Sequence, residues 1–130
     1  MDVITFDDLL YIHDQIIQQS GGLDGVRDES VIRSALARPH QTAFGQEIHD
    51  DIFLKASAIL DAIANNHGFL DGNKRTAMAA TALYLFNHDI MLTITNQEYE
   101  DFMLKVVNSK PELTEIKVWL SGHSEMVKSN

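Results

Sequence analysis

The chain has 130 residues, 45% apolar and 22% charged, a balance suited to one globular domain spanning residues 1–130 around a single core. Ten Lys and Arg against nineteen Asp and Glu leave a net charge of −9, so the basic footprint of a protein that grips nucleic acid directly is missing. The lack of cysteine excludes a disulfide framework and thiolate zinc, no apolar run approaches the roughly 20 residues of a membrane span, and the acidic opening Met1–Asp8 has no signal-peptide pattern, which makes the cytoplasm the expected location.

Thr5 and Asp8 form a capping-box pattern, and Phe6, Leu9, Leu10, Ile12, Ile16 and Ile17 recur at helical spacing behind it. This first helix should stop at Ser20-Gly21-Gly22, where glycine permits a left-handed exit. Leu23 to Asp28 reads as loop and Glu29 to Arg38 as a second helix, ended by Pro39. The polar stretch from Pro39 to His49, with His40 and His49, reads as a mobile flap. Asp50 and Asp51 favour the start of a long helix carrying Ile52, Phe53, Ala56, Ile59, Leu60 and Ile63 on one side. It should end at Asn65-Asn66-His67-Gly68. A loop over 68–73 then leads into the most apolar helix, Lys74 to about Asn87, whose alanines and Met78 allow close neighbours on nearly every side. Ile90 to Thr95 is the one segment with a weak strand pattern. Asn96 is expected to cap a helix through about Val107, Pro111 breaks the chain, and Thr114 is expected to cap a last helix through Trp119 and Leu120. The predicted class is all-α, about six helices around the central apolar one.

Chemistry concentrates in His67-Gly68-Phe69-Leu70-Asp71-Gly72-Asn73-Lys74-Arg75. Each residue has an ordinary structural use. A histidine suits a helix C-terminus, with Gly68 as its exit. Asp71-Gly72 is a common turn pair. Asn73 is a preferred N-cap, and Phe69 is a core anchor. Lys74 and Arg75 resist such a reading. Cations in a helix first turn cost about 0.3–1 kcal/mol each when exposed, because the N-terminal amides are already positive. A bound phosphate reverses that sign. An imidazole at the end of one helix therefore faces a carboxylate and an anion nest at the start of the next.

These residues resemble the signature of the Fic/Doc superfamily: His, any, Phe, any, Asp or Glu, a small residue, Asn, Gly or Lys, Arg. The resemblance is closer to its Doc (death-on-curing) branch, the toxin half of bacterial toxin–antitoxin pairs. It extends to Leu10-Tyr11-Ile12-His13-Asp14, to Gly21-Gly22-Leu23 with Arg27-Asp28, and to the run from Ser34 to Pro39, covering roughly residues 3–125. The resemblance implies His67 as general base toward a target hydroxyl and Asp71 as holder of Mg²⁺. It also implies Gly72, Asn73 and the helix-opening amides as a phosphate cradle with Arg75 as clamp, and Phe69 as the anchor of a nucleotide-binding loop.

Two departures from adenylylating Fic enzymes bear on the reaction. Lys74 replaces the glycine after the Asn, in the space a phosphate would fill, and Met78 stands where a second arginine is expected. Proteins with the lysine resemble kinases that bind ATP reversed and present its γ-phosphate. The resemblance thus implies an Mg²⁺- and ATP-dependent kinase, with AMP transfer as the alternative. It implies elongation factor Tu as target, with arrest of translation, and a separately encoded Phd-like antitoxin whose tail folds into a surface groove. Many Fic proteins carry an inhibitory Ser/Thr-x3-Glu-Gly/Asn helix; Ser121 to Glu125 fits except at Met126, and is read as coincidence.

Two other classes compete. His13-Asp14, His49-Asp50 and His88-Asp89 resemble in composition the ligand pairs of an HD-type metal phosphohydrolase, but His13 and His88 suit helix-surface positions. That class predicts tightly held transition metal. A non-catalytic binding module would hold its antitoxin equally well with His67→Ala.

Overall fold

The computed structural model describes residues 3–127. Among them are six α-helices: α1 (Phe6–Ser20), α2 (Glu29–Ala37), α3 (Ile52–Asn65), α4 (Asn73–Phe86), α5 (Asn96–Ser109) and α6 (Leu113–Gly122). Four short strands complete them: β1 (Thr42–Ala43), β2 (Gln46–Glu47), β3 (Ile90–Leu92) and β4 (Ser124–Met126). The all-α class stands.

Helix starts follow their caps. Thr5 and Asp8 close the reciprocal box that opens α1, and Gly21 ends it at φ 78°. Asp28 caps α2 through the amides of Ser30 and Val31, and Asp51 caps α3 through those of Phe53 and Leu54. Two expected caps are displaced. Thr95, not Asn96, caps α5, because its hydroxyl reaches the Glu98 amide while the Glu98 carboxylate returns to the Thr95 amide. Thr114 lies inside α6, which starts after Glu112 with no side-chain cap. Lys110 ends α5 in the left-handed region, consistent with the exclusion of α-conformation before Pro111.

The second helix gives way at Ala37 to a 3-10 turn over Arg38–His40 with Pro39 buried. The expected flap is a small antiparallel hairpin, β1 to β2, whose turn residues Phe44 and Gly45 both have positive φ. Glu47 on β2 pairs with the buried Lys55 of α3 at 2.7 Å, which ties the hairpin to the core. β3 pairs antiparallel with β4, Ile90 opposite Met126 and Leu92 opposite Ser124. Ser121 to Glu125 therefore spans the end of α6, a turn and a strand rather than one helix.

From Thr76 to Leu85 no residue of α4 is exposed, as its composition predicts. α3 shares the centre: it packs along α4 and α6 and touches α2 and α5, with Ala56, Ala58, Leu60 and Ala62 fully enclosed. The alanines of both helices let their backbones approach closely. The result is two adjoining helices in antiparallel sequence order, with residues 66–72 joining them at one end of the core. No helix among the described residues is long and apolar enough to cross a membrane.

Candidate active site

The connection between α3 and α4 is held from three sides. After Asn66 the chain turns at His67, whose φ of 55° places a non-glycine residue in the left-handed region. Such a conformation costs on the order of 1–3 kcal/mol and persists only where surroundings enforce it. Arg27 supplies the enforcement: its Nε donates to the His67 carbonyl at 2.5 Å and its Nη2 to the Asn66 carbonyl at 3.3 Å. A guanidinium is also the favoured charge at a helix C-terminus. The expected exit at Gly68 is thus moved back one residue. Gly68 is needed for space instead, since a Cβ there would lie 2.5 Å from Ile32 Cγ1. Its carbonyl accepts from the amides of Arg27 and Asp28, and Leu70 donates to the Gly25 carbonyl.

Phe69 is buried, as expected. Asn73 is the first residue of α4 rather than its cap. Gly72 occupies the cap position at φ 77° and ψ 16° with no side-chain cap bond. The Asn73 amide turns back instead, accepting from the Phe69 N–H at 3.1 Å and donating to the Phe69 carbonyl at 3.0 Å. Its side chain holds the loop, so toward a ligand it offers its backbone N–H. The opening amides of α4 remain without a side-chain cap, the condition for an anion nest.

Asp71 is exposed and its carboxylate accepts from two amides, Leu23 N–H at 3.2 Å and Gly72 N–H at 3.0 Å. The turn role and the ligand role are compatible, because a carboxylate has about four acceptor positions. Arg75 reaches Ser20 Oγ at 3.3 Å, and Lys74 is exposed with no ion-pair or hydrogen-bond partner among the described residues.

His67, Asp71, Gly72, Asn73, Lys74 and Arg75 line one cavity of about 600 Å³, within the range of small-molecule sites. Phe69, buried in the core, is not part of this lining. The opposite wall comes from α5: Tyr99, Glu100, Met103, Leu104 and Val107, with Lys110 at its end. Burial holds the Tyr99 phenol above its ordinary range, against a smaller opposing pull from Arg75, so it stays a neutral donor. Sequence reasoning missed this wall, although positions 99, 103 and 107 recur at helical spacing. It also placed His13 at the surface, whereas His13 is buried and donates from Nε2 to the Asp71 carbonyl at 2.8 Å.

The cavity lining holds two carboxylates, Asp71 on the loop and Glu100 on the α5 wall, and so sparse a set fits an ion that takes most of its ligands from water and phosphate, as Mg²⁺ does beside a nucleotide. No group of three His, Asp or Glu converges as a metal cage among the described residues, and the three His-Asp pairs lie on separate parts of the chain.

Residues 3–85 match the model of the Fic/DOC family. The chain is 36% identical over 104 residues to a protein named Toxin Doc of Mycolicibacterium smegmatis, covering 78% of this chain and 80% of that one. It is 32% identical over 89 residues to Protein kinase doc of Escherichia phage P1, covering 68% of this chain and 70% of that one.

Proposed function

This chain belongs to the Fic/DOC family, and from that premise we propose that it is the toxin of a type II toxin–antitoxin pair, a kinase that transfers the γ-phosphate of Mg-ATP to a protein hydroxyl. The observation that carries the reading is the shared cavity, which gathers an imidazole, a carboxylate, an uncapped helix start and two cations.

In this reading the target hydroxyl oxygen forms a bond to the γ-phosphorus as the bond to the β–γ bridging oxygen breaks, and ADP leaves. His67 takes the hydroxyl proton, a role suited to an imidazole, whose unprotonated ring nitrogen accepts it. Asp71 would hold Mg²⁺, which when bound offsets charge on the phosphate oxygens. Gly72 and the first amides of α4 cradle those oxygens, Arg75 clamps them, and Lys74 stabilises the transferring group. Phe69 and the Asn73 side chain keep the loop in place.

Lys74 in the cavity lining and Met78 in the core favour γ-transfer over AMP transfer, because the second guanidinium of an adenylylating site has no counterpart at position 78. The proposed target is elongation factor Tu, and the proposed silencing partner a separately encoded, Phd-like antitoxin. The test is incubation with elongation factor Tu, Mg²⁺ and ATP labelled at the α- or γ-phosphate, with His67→Ala alongside. Label from the γ position, lost in the variant, is the expected result. Label from the α position would make the protein an adenylyltransferase. No transfer of either label would remove this target.

A further inference from the structure

An imidazole from outside the signature underlies the whole phosphate-side turn. His13 sits one helical turn beyond Leu9 on the buried side of α1 and is only 3% exposed. Its Nε2 lies 2.8 Å from the Asp71 carbonyl oxygen, which can only accept, so Nε2 carries a proton. The ring stacks on Phe69 with centroids 3.9 Å apart and planes 7° from parallel. It also backs Gly72, where an added Cβ would stand 3.7 Å from both Cδ2 and Nε2. On its far side Nδ1 is 3.9 Å from the exposed Asp24 carboxylate. Three residues of the turn, Phe69, Asp71 and Gly72, therefore rest on one side chain 58 positions away in sequence from Asp71.

We infer that His13 is a positioning residue for this turn, setting the Asp71 carboxylate and the Gly72 amide against the start of α4. The inference rests on the nucleotide reading of the cavity and deepens it. A simple space-filling ring would need no donor at Nε2. The hydrogen bond, by contrast, fixes the Asp71 peptide plane, and with it the direction of the Gly72 N–H that follows. Groups that orient a metal-holding or phosphate-holding residue typically change ligand affinity by about 10–100-fold when removed.

Two substitutions separate bond from packing. His13→Phe keeps a flat ring on Phe69 and removes the donor. His13→Gln keeps an N–H donor at a similar reach and removes the ring. Amide hydrogen exchange of residues 69–72 and calorimetric titration with ADP plus Mg²⁺ are measured on both, with Tm as the control for folding. His13→Phe should exchange at least about ten-fold faster over the turn and bind Mg-ADP about ten-fold more weakly, while His13→Gln stays within about three-fold of wild type on both. Equal behaviour of the two variants, or a turn and an affinity untouched by His13→Phe, would overturn the inference. Faster exchange in His13→Phe with restoration by Gln, in a wild-type protein that binds no Mg-ADP, would uphold the strut and remove the nucleotide reading.

Discussion

The side-chain amide of Asn73 lies against the backbone of Phe69 as one peptide group lies against another in a ladder, accepting from the Phe69 N–H at 3.1 Å and donating to its carbonyl at 3.0 Å. Phe69 is buried, so its N–H and carbonyl have little access to water. Asn73→Ala should lower stability by about 2 kcal/mol, the usual range for leaving buried polar groups unpaired being roughly 1–3 kcal/mol. The fall should appear as a reduced denaturant midpoint with unchanged slope. A variant as stable as wild type would mean that the clamp does not hold the loop.

Lys74 predicts the opposite sign. It has no partner among the described residues and stands in the first turn of α4, where its charge opposes the helix dipole. Lys74→Ala should leave stability unchanged or raise it by about 0.3–1 kcal/mol. The same variant should bind a non-hydrolysable Mg-ATP analogue at least about ten-fold more weakly, about 1.4 kcal/mol, through loss of a charge-assisted contact to the γ-phosphate. Thermal melts and calorimetry on one preparation check both halves. A marked loss of stability would show that the lysine has a structural role instead.

Gly22 and Gly21 form an internal pair for testing the Asp71 position. Both have positive φ, 112° and 78°, so alanine at either carries a backbone cost of about 1–2 kcal/mol. They differ in surroundings: a Cβ on Gly22 would lie 2.8 Å from Asp71 Oδ2, whereas one on Gly21 meets nothing within 4 Å. Gly21→Ala should therefore lose stability alone, and Gly22→Ala should lose stability and Mg²⁺-dependent nucleotide binding together. Equal binding by the two would separate Asp71 from the metal.

What could be seen in the sequence was local. Thr5 with Asp8, Asp28 and Asp51 announce helix starts because a cap and its amides lie within three residues of each other. Thr95-x-x-Glu98 carries the same signal, one residue before the Asn96 expected to cap α5. The run from His67 to Arg75 could be read as a site because its groups are sequence neighbours. The rest depends on distant pairing. His13 follows Leu9 on the apolar side of α1, but nothing local says that Asp71 waits for its Nε2. Arg27 and Leu23 reach the same turn across 40 and 48 residues. β4 has no strand pattern of its own and exists by pairing with β3.

Titration of the hairpin base gives a last prediction. Desolvation, then the Lys55 charge, hold His40 below its ordinary 6.5, with Glu47 opposing and His88 adding to the shift. Desolvation, then Arg38 and Lys55, lower His49 from the same value. Below pH 6.5 the unfolded chain therefore binds protons that the folded chain refuses, so the folded state is fully favoured above that pH and loses ground as pH falls through it. Carboxylates act lower. Glu47 is lowered from 4.5, first by its hydrogen bond to Lys55 and then by that charge. Asp51 is lowered from 3.8 because, although burial raises it, Lys117 and the amides of Leu54 and Phe53 outweigh that effect. Their stabilisation is present above those values and disappears as pH falls through the folded ones. Urea midpoints between about pH 7.5 and 3.5 should thus descend twice, gently from the mid-sixes and steeply below the mid-fours. The double variant His40→Gln, His49→Gln should flatten the first descent and leave the second. An unchanged first descent would assign it to groups other than these two histidines, and the hairpin base would not be a proton-sensitive part of the fold.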